Sequence, residues 1–431
     1  MLNDKKILVT GAYGFIGRYV TKELLNDGYQ VRTLSRHKKT SDTTNLENYI
    51  GDLKDPESIK IAVDGVDAVI HLAALKIDEK DIFDVNVTGT ENLIQACKEK
   101  NVKYILNISS SSTKIKNKGQ YAETKNKADE IVIKSGLQFT ILKPSIVYSD
   151  LIGGVFASIA KFAKLPITPV IGNGKCKFWP IHTEDLAKII KLTIENPHTI
   201  NKMFDVGGSE EISINEIIQK ISKIVFDKKT ILVHIPKSIG MFMAKIFKLI
   251  FTKPPITESN ILGSTQDIDW NQDEILNILN FKPRTLDTGL KEVKKEYHKQ
   301  EANIVLKYIF SVSNIKYKNN EILEDRYRLA IKNNNLEENI SYIILEKPFF
   351  IGPLDAITKI FFPDCDLQKR IQIGVTLAEC DTQSASWLLP KNRKFFIFFI
   401  QITKQIIRAS TKIIFGVFLL VIPGFIKKHA R

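Results

Sequence analysis

The sequence predicts a doubly wound α/β fold: a parallel sheet with helices on both faces, a small substrate-side subdomain, and a mainly helical C-terminal extension. Three observations carry that expectation. The chain opens on an apolar run of strand length, Lys5 to Thr10, followed by a glycine-rich turn and a helical pattern. Apolar runs of strand length then alternate with helical periods to about residue 300, as in a parallel sheet with crossover helices. At 431 residues the chain exceeds one ordinary core, so a large domain carries an appendage. The expected division is 1–300 for the α/β domain, 301–390 for an unassigned mixed region, and 391–431 for a basic, apolar helical segment.

Composition is that of a globular protein, 44% hydrophobic and 26% charged, with no Gly/Ser-rich or Pro-rich tract. Cys97, Cys176, Cys365 and Cys380 are scattered, without a CxxC pair or a histidine at ligand spacing. They read as reduced thiols of an intracellular protein, and no metal site is expected. Met1 to Lys6 runs straight into the first strand, so no signal peptide is expected either. The net charge is +14, and from Lys391 to Arg431 there are nine Lys/Arg and no Asp or Glu. Basic residues interleaved with long apolar side chains fit an anionic membrane surface better than a nucleic acid, so no nucleic-acid partner is expected. A Lys/Asn/Ile-biased genome would raise charge everywhere and not only there.

The first turn reads Gly11-Ala12-Tyr13-Gly14-Phe15-Ile16-Gly17. Between a strand and a helix, such a turn is the phosphate cradle of a Rossmann dinucleotide site. Gly11 permits the tight bend, Gly14 lets backbone approach the pyrophosphate, and Gly17 lets the helix pack on the sheet. The helix N-terminus offers free N–H groups to the anion. The second strand, Gln30 to Ser35, ends where NAD-binding chains usually place an acid for the ribose hydroxyls. Here Arg36-His37-Lys38-Lys39 follow instead. An arginine beside the ribose suits a 2′-phosphate, so NADP is expected more than NAD, the alternative being an exposed basic loop.

After the fifth strand, Tyr104 to Ile108, come four serines, Ser109 to Ser112, and then Tyr121-Ala122-Glu123-Thr124-Lys125. Four residues make one helical turn, so Tyr121 and Lys125 share a face. A nearby ammonium favours the phenolate, which predicts a lowered tyrosine pKa and a usable acid/base. Lys125 can also hold the nicotinamide ribose, and a serine hydroxyl can bind the substrate oxygen. The alternative is a solvated pair on an ordinary helix of a protein without turnover.

These pieces together resemble the extended members of the short-chain dehydrogenase/reductase superfamily, over residues 5 to about 298. The resemblance implies that Asp52, in Gly51-Asp52-Leu53, contacts the adenine amino group. It implies that His71-Leu72-Ala73-Ala74 lines the cofactor, that Asn86 steadies the central sheet, and that Lys143-Pro144-Ser145 turns beside the nicotinamide. Pro180-Ile181-His182-Thr183-Glu184-Asp185-Leu186-Ala187 is similar to the PxHxxDLA element, and Pro254 to Thr257 and Leu279 to Arg284 to the closing segments. The implied cofactor site is Gly11, Gly14, Phe15, Ile16, Gly17, Arg36, Asp52, Leu53, Leu72, Ala73, Ala74, Lys125 and Pro144. The implied catalytic set is Ser111, Tyr121 and Lys125, with the serine open by one position. The Pro-Pro-Ile-Thr segment and the short loop from Thr113 to Gln120 are similar to an atypical branch. That branch includes the nucleotide-binding accessory subunit of respiratory complex I.

The short loop removes material that would normally help form a substrate pocket. Gly172 to Lys175 and the Phe178-Trp179 pair are candidates for shaping one, whereas His182 and Asp185 are expected to serve as turn and helix-cap residues. Helical periods at 183–196 and 213–226 alternate with strands near 203–206 and 231–234, which is expected to extend the sheet. In 237–251 one helical face carries Ile239, Phe242, Met243, Ile246, Phe247 and Ile250, for packing on the subdomain or facing a membrane.

Beyond residue 300 no motif stands out until the last segment. There Lys404, Arg408 and Lys412 form a helical stripe, and the uncharged run Ile413 to Ile426 follows. Fourteen helical residues rise about 21 Å, short of a ~30 Å hydrocarbon core, so an interfacial helix is expected rather than a span. The alternative is a helix docked on its own domain or on a second copy in a homodimer. The whole reads as an NAD(P)-dependent oxidoreductase or epimerase, peripheral at the cytoplasmic face of a membrane. Its substrate would be a sugar nucleotide, a lipid-linked or a quinone-like molecule. The rival is a redox-silent dinucleotide-binding scaffold of a membrane complex.

Overall fold

Alternation within the opening run decides the architecture. In strand β1 (Lys6–Thr10), Ile7 and Val9 face one apolar core and Leu8 the other, so the strand is buried on both sides. The structure, a computed structural model, describes residues 5–37, 43–76, 81–149, 154–250, 257–312, 321–334, 336, 360–362 and 364–380. It divides into two compact units, residues 1–293 and 294–431.

In the first unit β1 is followed by α1 (Gly17–Asn26), β2 (Gln30–Ser35), β3 (Leu46–Ile50), α2 (Pro56–Val63) and β4 (Ala68–His71). Next come a π-helical turn (Asp84–Thr88), α3 (Gly89–Glu99), β5 (Tyr104–Ile108), α4 (Gln120–Ile133) and β6 (Gln138–Pro144). Local chemistry sets these ends. Asp55 caps α2 by accepting from the Glu57 N–H at 3.2 Å, with Pro56 in the first turn.

The substrate side holds β7 (Val147–Tyr148), α5 (Gly154–Ala163), β8 (Ile167–Ile171), β9 (Lys177–Phe178), β10 (Ile181–His182) and α6 (Thr183–Glu195). It continues with β11 (Lys202–Val206), β12 (Ile212–Ser213), α7 (Ile214–Ile224), β13 (Ile231–Ile235), α8 (Lys237–Ile250), α9 (Glu258–Ser264) and α10 (Asp273–Leu279).

Seven parallel strands run in the order β11-β6-β5-β4-β1-β2-β3. The winding reverses between β1 and β4, and the crevice at that switch point is where such sheets bind ligands. Helices α1 and α6 cover one face through Val20, Leu24, Ile189 and Ile190. Helices α2 and α3 cover the other through Ile59 and Leu93.

One expectation is corrected here. Residues 202–206 extend the main sheet, but β13 pairs in parallel with β8 in a separate two-stranded sheet. Ile231 and Val233 stay exposed, so β13 lacks the two-sided burial that a central parallel strand needs. Helix α8 is likewise only partly packed: Ala244 is buried, and Phe242 and Leu249 are exposed.

Helix α11 (Leu286–Val312) crosses the division between the units. In the second unit its later residues Ala302, Val305 and Leu306 share a small core with Leu323 and Tyr327 of α12 (Glu321–Asn333). Leu367, Ile373, Val375 and Leu377 of α13 (Asp366–Cys380) pack against it. Among the described residues no helix is long and apolar enough to cross a membrane. The segment 391–431 lies outside the described residues, as do Lys38, Lys39, Pro254, Pro255 and Ile256.

Candidate active site

The glycine turn is built for a close approach. Gly11 has φ +70°, and a Cβ there would stand 2.7 Å from the Ala73 nitrogen. A Cβ on Gly17 would overlap the Gly11 carbonyl oxygen, so α1 can sit where it does only with glycine at both positions. Gly14 would meet only the Gly11 oxygen, at 3.1 Å, which leaves its outer side open. No side chain caps α1, and among the described residues nothing accepts from the N–H groups of Phe15 or Ile16. An anion accepting from those donors at a helix N-terminus is what such a turn holds, so the residues fit a dinucleotide pyrophosphate.

The other predicted cofactor residues ring this turn. Arg36 is exposed just past β2. Asp52 is half-buried and accepts the Lys54 N–H at 3.0 Å, while Leu53 is buried beneath it. Leu72, Ala73 and Ala74 leave β4 beside the turn, and the Ala73 N–H donates to Thr10 Oγ1 at 3.3 Å. Asn86 is buried beside the exit of β4. It holds the Leu75 backbone by two hydrogen bonds, at 2.8 and 3.0 Å, and donates to Thr124 Oγ1 of α4 at 3.1 Å. It therefore ties the exit of β4 to the helix that carries Tyr121 and Lys125.

His71 does not line the cofactor site. It is buried, with Nδ1 2.7 Å from Thr10 Oγ1 and Nε2 3.1 Å from Thr90 Oγ1. Burial first, and then the Lys125 charge, push its pKa down to about 3, so the ring is neutral. Its unfolded pKa is about 6.5. Because the folded value is the lower one, the stability it contributes is present above pH ~6.5 and is lost as pH falls toward 3. His71→Asn is expected to flatten the loss of urea-unfolding stability on acidification. An acid slope unchanged from the parent would show that His71 is not the titrating group.

Tyr121 and Lys125 leave α4 one turn apart. Ser110 caps a short 3-10 turn (Ser111–Lys114), accepting from the Ser112 N–H at 3.2 Å. Ser110, Ser111 and Tyr121 all line the same cavity, as the sequence reading, with the serine open by one position, allows. The expected fall in the tyrosine pKa is corrected. Burial pushes it up to about 12, with the Ser110 hydrogen bond working against that rise and the Asp129 charge adding to it. A phenolate at this depth loses more hydration than the neighbouring charges return.

Beneath the pair lies a network that the sequence reading missed. Asp129, one turn beyond Lys125, accepts from Asn107 Nδ2 at 2.9 Å and from Ser109 Oγ at 2.6 Å. Lys143 Nζ stands 3.6 Å from its second oxygen. Lys125 is itself buried, which lowers its pKa, and the Asp129 charge opposes that fall. Burial raises the Asp129 pKa, opposed by Lys125, Ser109 and Lys143. The available signal was an acid at i+4 from the lysine on one helix face.

The serines, Tyr121, Pro144 and Ser145 open onto a cavity of about 610 Å³. Phe178 lines it, whereas Trp179 stacks on Trp270, ring centres 4.9 Å apart. Gly172 and Gly174 form a left-handed turn away from the lining. His182 caps α6, accepting from the Glu184 N–H at 3.4 Å, and Asp185 accepts from Arg284 Nε at 3.1 Å. His182, Glu184 and Glu292 are the one group with ligand-like spacing among the described residues. Arg284 ion-pairs with both of those acids, so their charge is already matched.

Residues 7–207 match the NAD dependent epimerase/dehydratase family. The chain is 25% identical to a UDP-glucose 4-epimerase of Vibrio cholerae over 328 residues, 68% of this chain and 95% of that protein. It is 22% identical to an N-acetyl-alpha-D-glucosaminyl-diphospho-ditrans,octacis-undecaprenol 4-epimerase of Escherichia coli O157:H7, over 58% of this chain and 80% of that one. The fold is similar to a UDP-glucose 4-epimerase of Thermotoga maritima solved with UDP-glucose, at 20% identity. The TM-score is 0.54, with 68% of this chain and 99% of that one covered.

Proposed function

We propose that this chain, an extended NAD-dependent epimerase/dehydratase-like protein of the short-chain dehydrogenase/reductase type, moves a hydride at an alcohol or ketone carbon. The carrying observation is that Ser110, Ser111 and Tyr121 line one cavity with Phe15 and Ile16 of the glycine turn, while Lys125 stands one helical turn beyond Tyr121. A bound nicotinamide dinucleotide would supply or accept the hydride. Gly11, Gly14 and Gly17 and the N–H groups of Phe15 and Ile16 hold the pyrophosphate, and Asp52 lies toward the adenine. Tyr121 gives or takes the proton on the substrate oxygen, Ser110 binds that oxygen with Ser111 beside it, and Lys125 holds the nicotinamide ribose. Several relatives bear the names of sugar-nucleotide enzymes, and the hydride-transfer reading does not depend on that substrate class.

NADP is the preferred cofactor in this reading, because Arg36 is an exposed cation at the end of β2 where a 2′-phosphate would lie. Titration calorimetry with NADPH and NADH tests both levels. Arg36→Ala is expected to weaken NADPH about tenfold and to leave NADH nearly unchanged. Equal losses for the two would remove the NADP assignment. Failure of the parent chain to bind either dinucleotide would remove the oxidoreductase reading.

A further inference from the structure

The cavity beside Tyr121 is mostly apolar. Ser109 to Ser112, Tyr121 and Ser145 supply hydroxyls beside the candidate acid/base, and Ser158, Thr168, Ser259, Asn260, Ser264 and Gln266 add scattered polar groups. Beyond them the walls come from α5, β8, α7, β13 and α8, through Phe162, Val170, Ile218, Ile235, Met243 and Phe247. Among the described residues the only charged side chain in the lining is Lys76, whose Nζ sits 5.6 Å from the centre of the Phe15 ring, at the dinucleotide end. Arg284 is not in the lining and is engaged by Glu184, Asp185 and Glu292.

A diphosphate moved into such walls would lose its hydration without gaining the charged donors that replace it. An uncharged hydrocarbon body gains instead from every apolar contact. The volume lies within the roughly 300–1,000 Å³ usual for small-molecule sites. The outer sides of the same elements are apolar too: Ile231 is 68% exposed, Phe242 64% and Leu249 82%. Ile231 and Ile167, which is also exposed, are register partners across β13 and β8. Apolar surface gathered around one cavity suits the approach of a molecule that avoids water.

Resting on the hydride-transfer reading, we infer that the substrate is a lipophilic secondary alcohol or ketone: its oxygen meets Tyr121 and Ser110, and an uncharged apolar body fills the rest of the cavity. The reaction balances as ketone plus NAD(P)H plus a proton giving alcohol plus NAD(P)⁺. The C=O π bond is replaced by a C–H and an O–H bond, and the proton comes from Tyr121.

The test uses the full chain with NADPH or NADH bound, read by nicotinamide fluorescence, which needs no turnover. A homologous series of aliphatic 2-ketones is compared with UDP-glucose. Affinity is expected to rise about fourfold per added methylene, equivalent to ~0.8 kcal/mol, until the cavity is full. UDP-glucose is expected to bind more weakly than the longest ketone. Met243→Trp, and independently Ile218→Phe, should shorten the longest chain accepted while leaving dinucleotide affinity unchanged. No dependence on chain length, or UDP-glucose binding tighter than every ketone, would overturn the inference and leave the oxidoreductase reading standing. Loss of dinucleotide binding by the parent chain would overturn both.

Discussion

Tyr121→Phe is expected to lower kcat by about 10²–10⁴-fold on any alcohol or ketone that the parent turns over. The change deletes one hydroxyl and keeps the ring, so dinucleotide affinity and thermal stability should stay close to the parent values. The pH dependence sharpens the test. Burial holds the Tyr121 pKa up at about 12, so the phenol keeps its proton throughout the neutral range. Reduction of a ketone uses that protonated form and should be nearly flat with pH there. Oxidation of the alcohol needs the phenolate and should climb as pH rises toward 12, and the Phe variant should lose that climb. Turnover by Tyr121→Phe at the parent rate would place the acid/base elsewhere.

Much of this site was legible because its signals are local. The glycine roles follow from a strand, a turn and a helix adjacent in the chain, and the structure gives Gly11 and Gly17 the close backbone approaches that the spacing implied. The Tyr121–Lys125 pairing needs only the helical repeat. What failed depends on contacts between distant segments. A 3-10 turn sets the directions of the four consecutive hydroxyls beside Tyr121, and no periodicity encodes that turn. The tyrosine pKa went the wrong way because a charge visible in sequence was weighed without the burial that tertiary packing adds.

Strand partners and cavity walls are non-local in the same sense. Residues 231–235 read as one more strand, yet their partner lies 64 residues earlier in β8, outside the main sheet. The cavity's apolar character is spread over five elements, each with an ordinary amphipathic pattern. Only their convergence makes a hydrocarbon-lined space beside four serines. Helix α8 presents its apolar residues in two directions. Met243 and Phe247 turn to the cavity, while Phe242 and Leu249 remain in contact with solvent.

Asp129 is where the missed network carries its largest consequence. It is buried and is the common partner of Asn107, Ser109 and Lys143, with the Lys125 charge one turn away. Asp129→Ala removes one side of a buried charge arrangement and leaves a cation and two donors without their acceptor. Such changes are strongly destabilising, by about 3–5 kcal/mol, so a large fall in the urea midpoint is expected. Asp129→Asn separates fold from chemistry, since the amide oxygen still accepts from Ser109 while the negative charge is gone. Burial already lowers the Lys125 pKa, and the Asp129 charge is what opposes it. Without that charge Lys125 should lose its proton at still lower pH. Activity that requires the ammonium should therefore fall off earlier as pH rises, with the alkaline limb of kcat moving to lower pH. A purely structural aspartate would shift the unfolding midpoint and leave that limb in place. An Asp129→Asn enzyme with the parent's pH profile would thus show that Asp129 does not position the Lys125 charge.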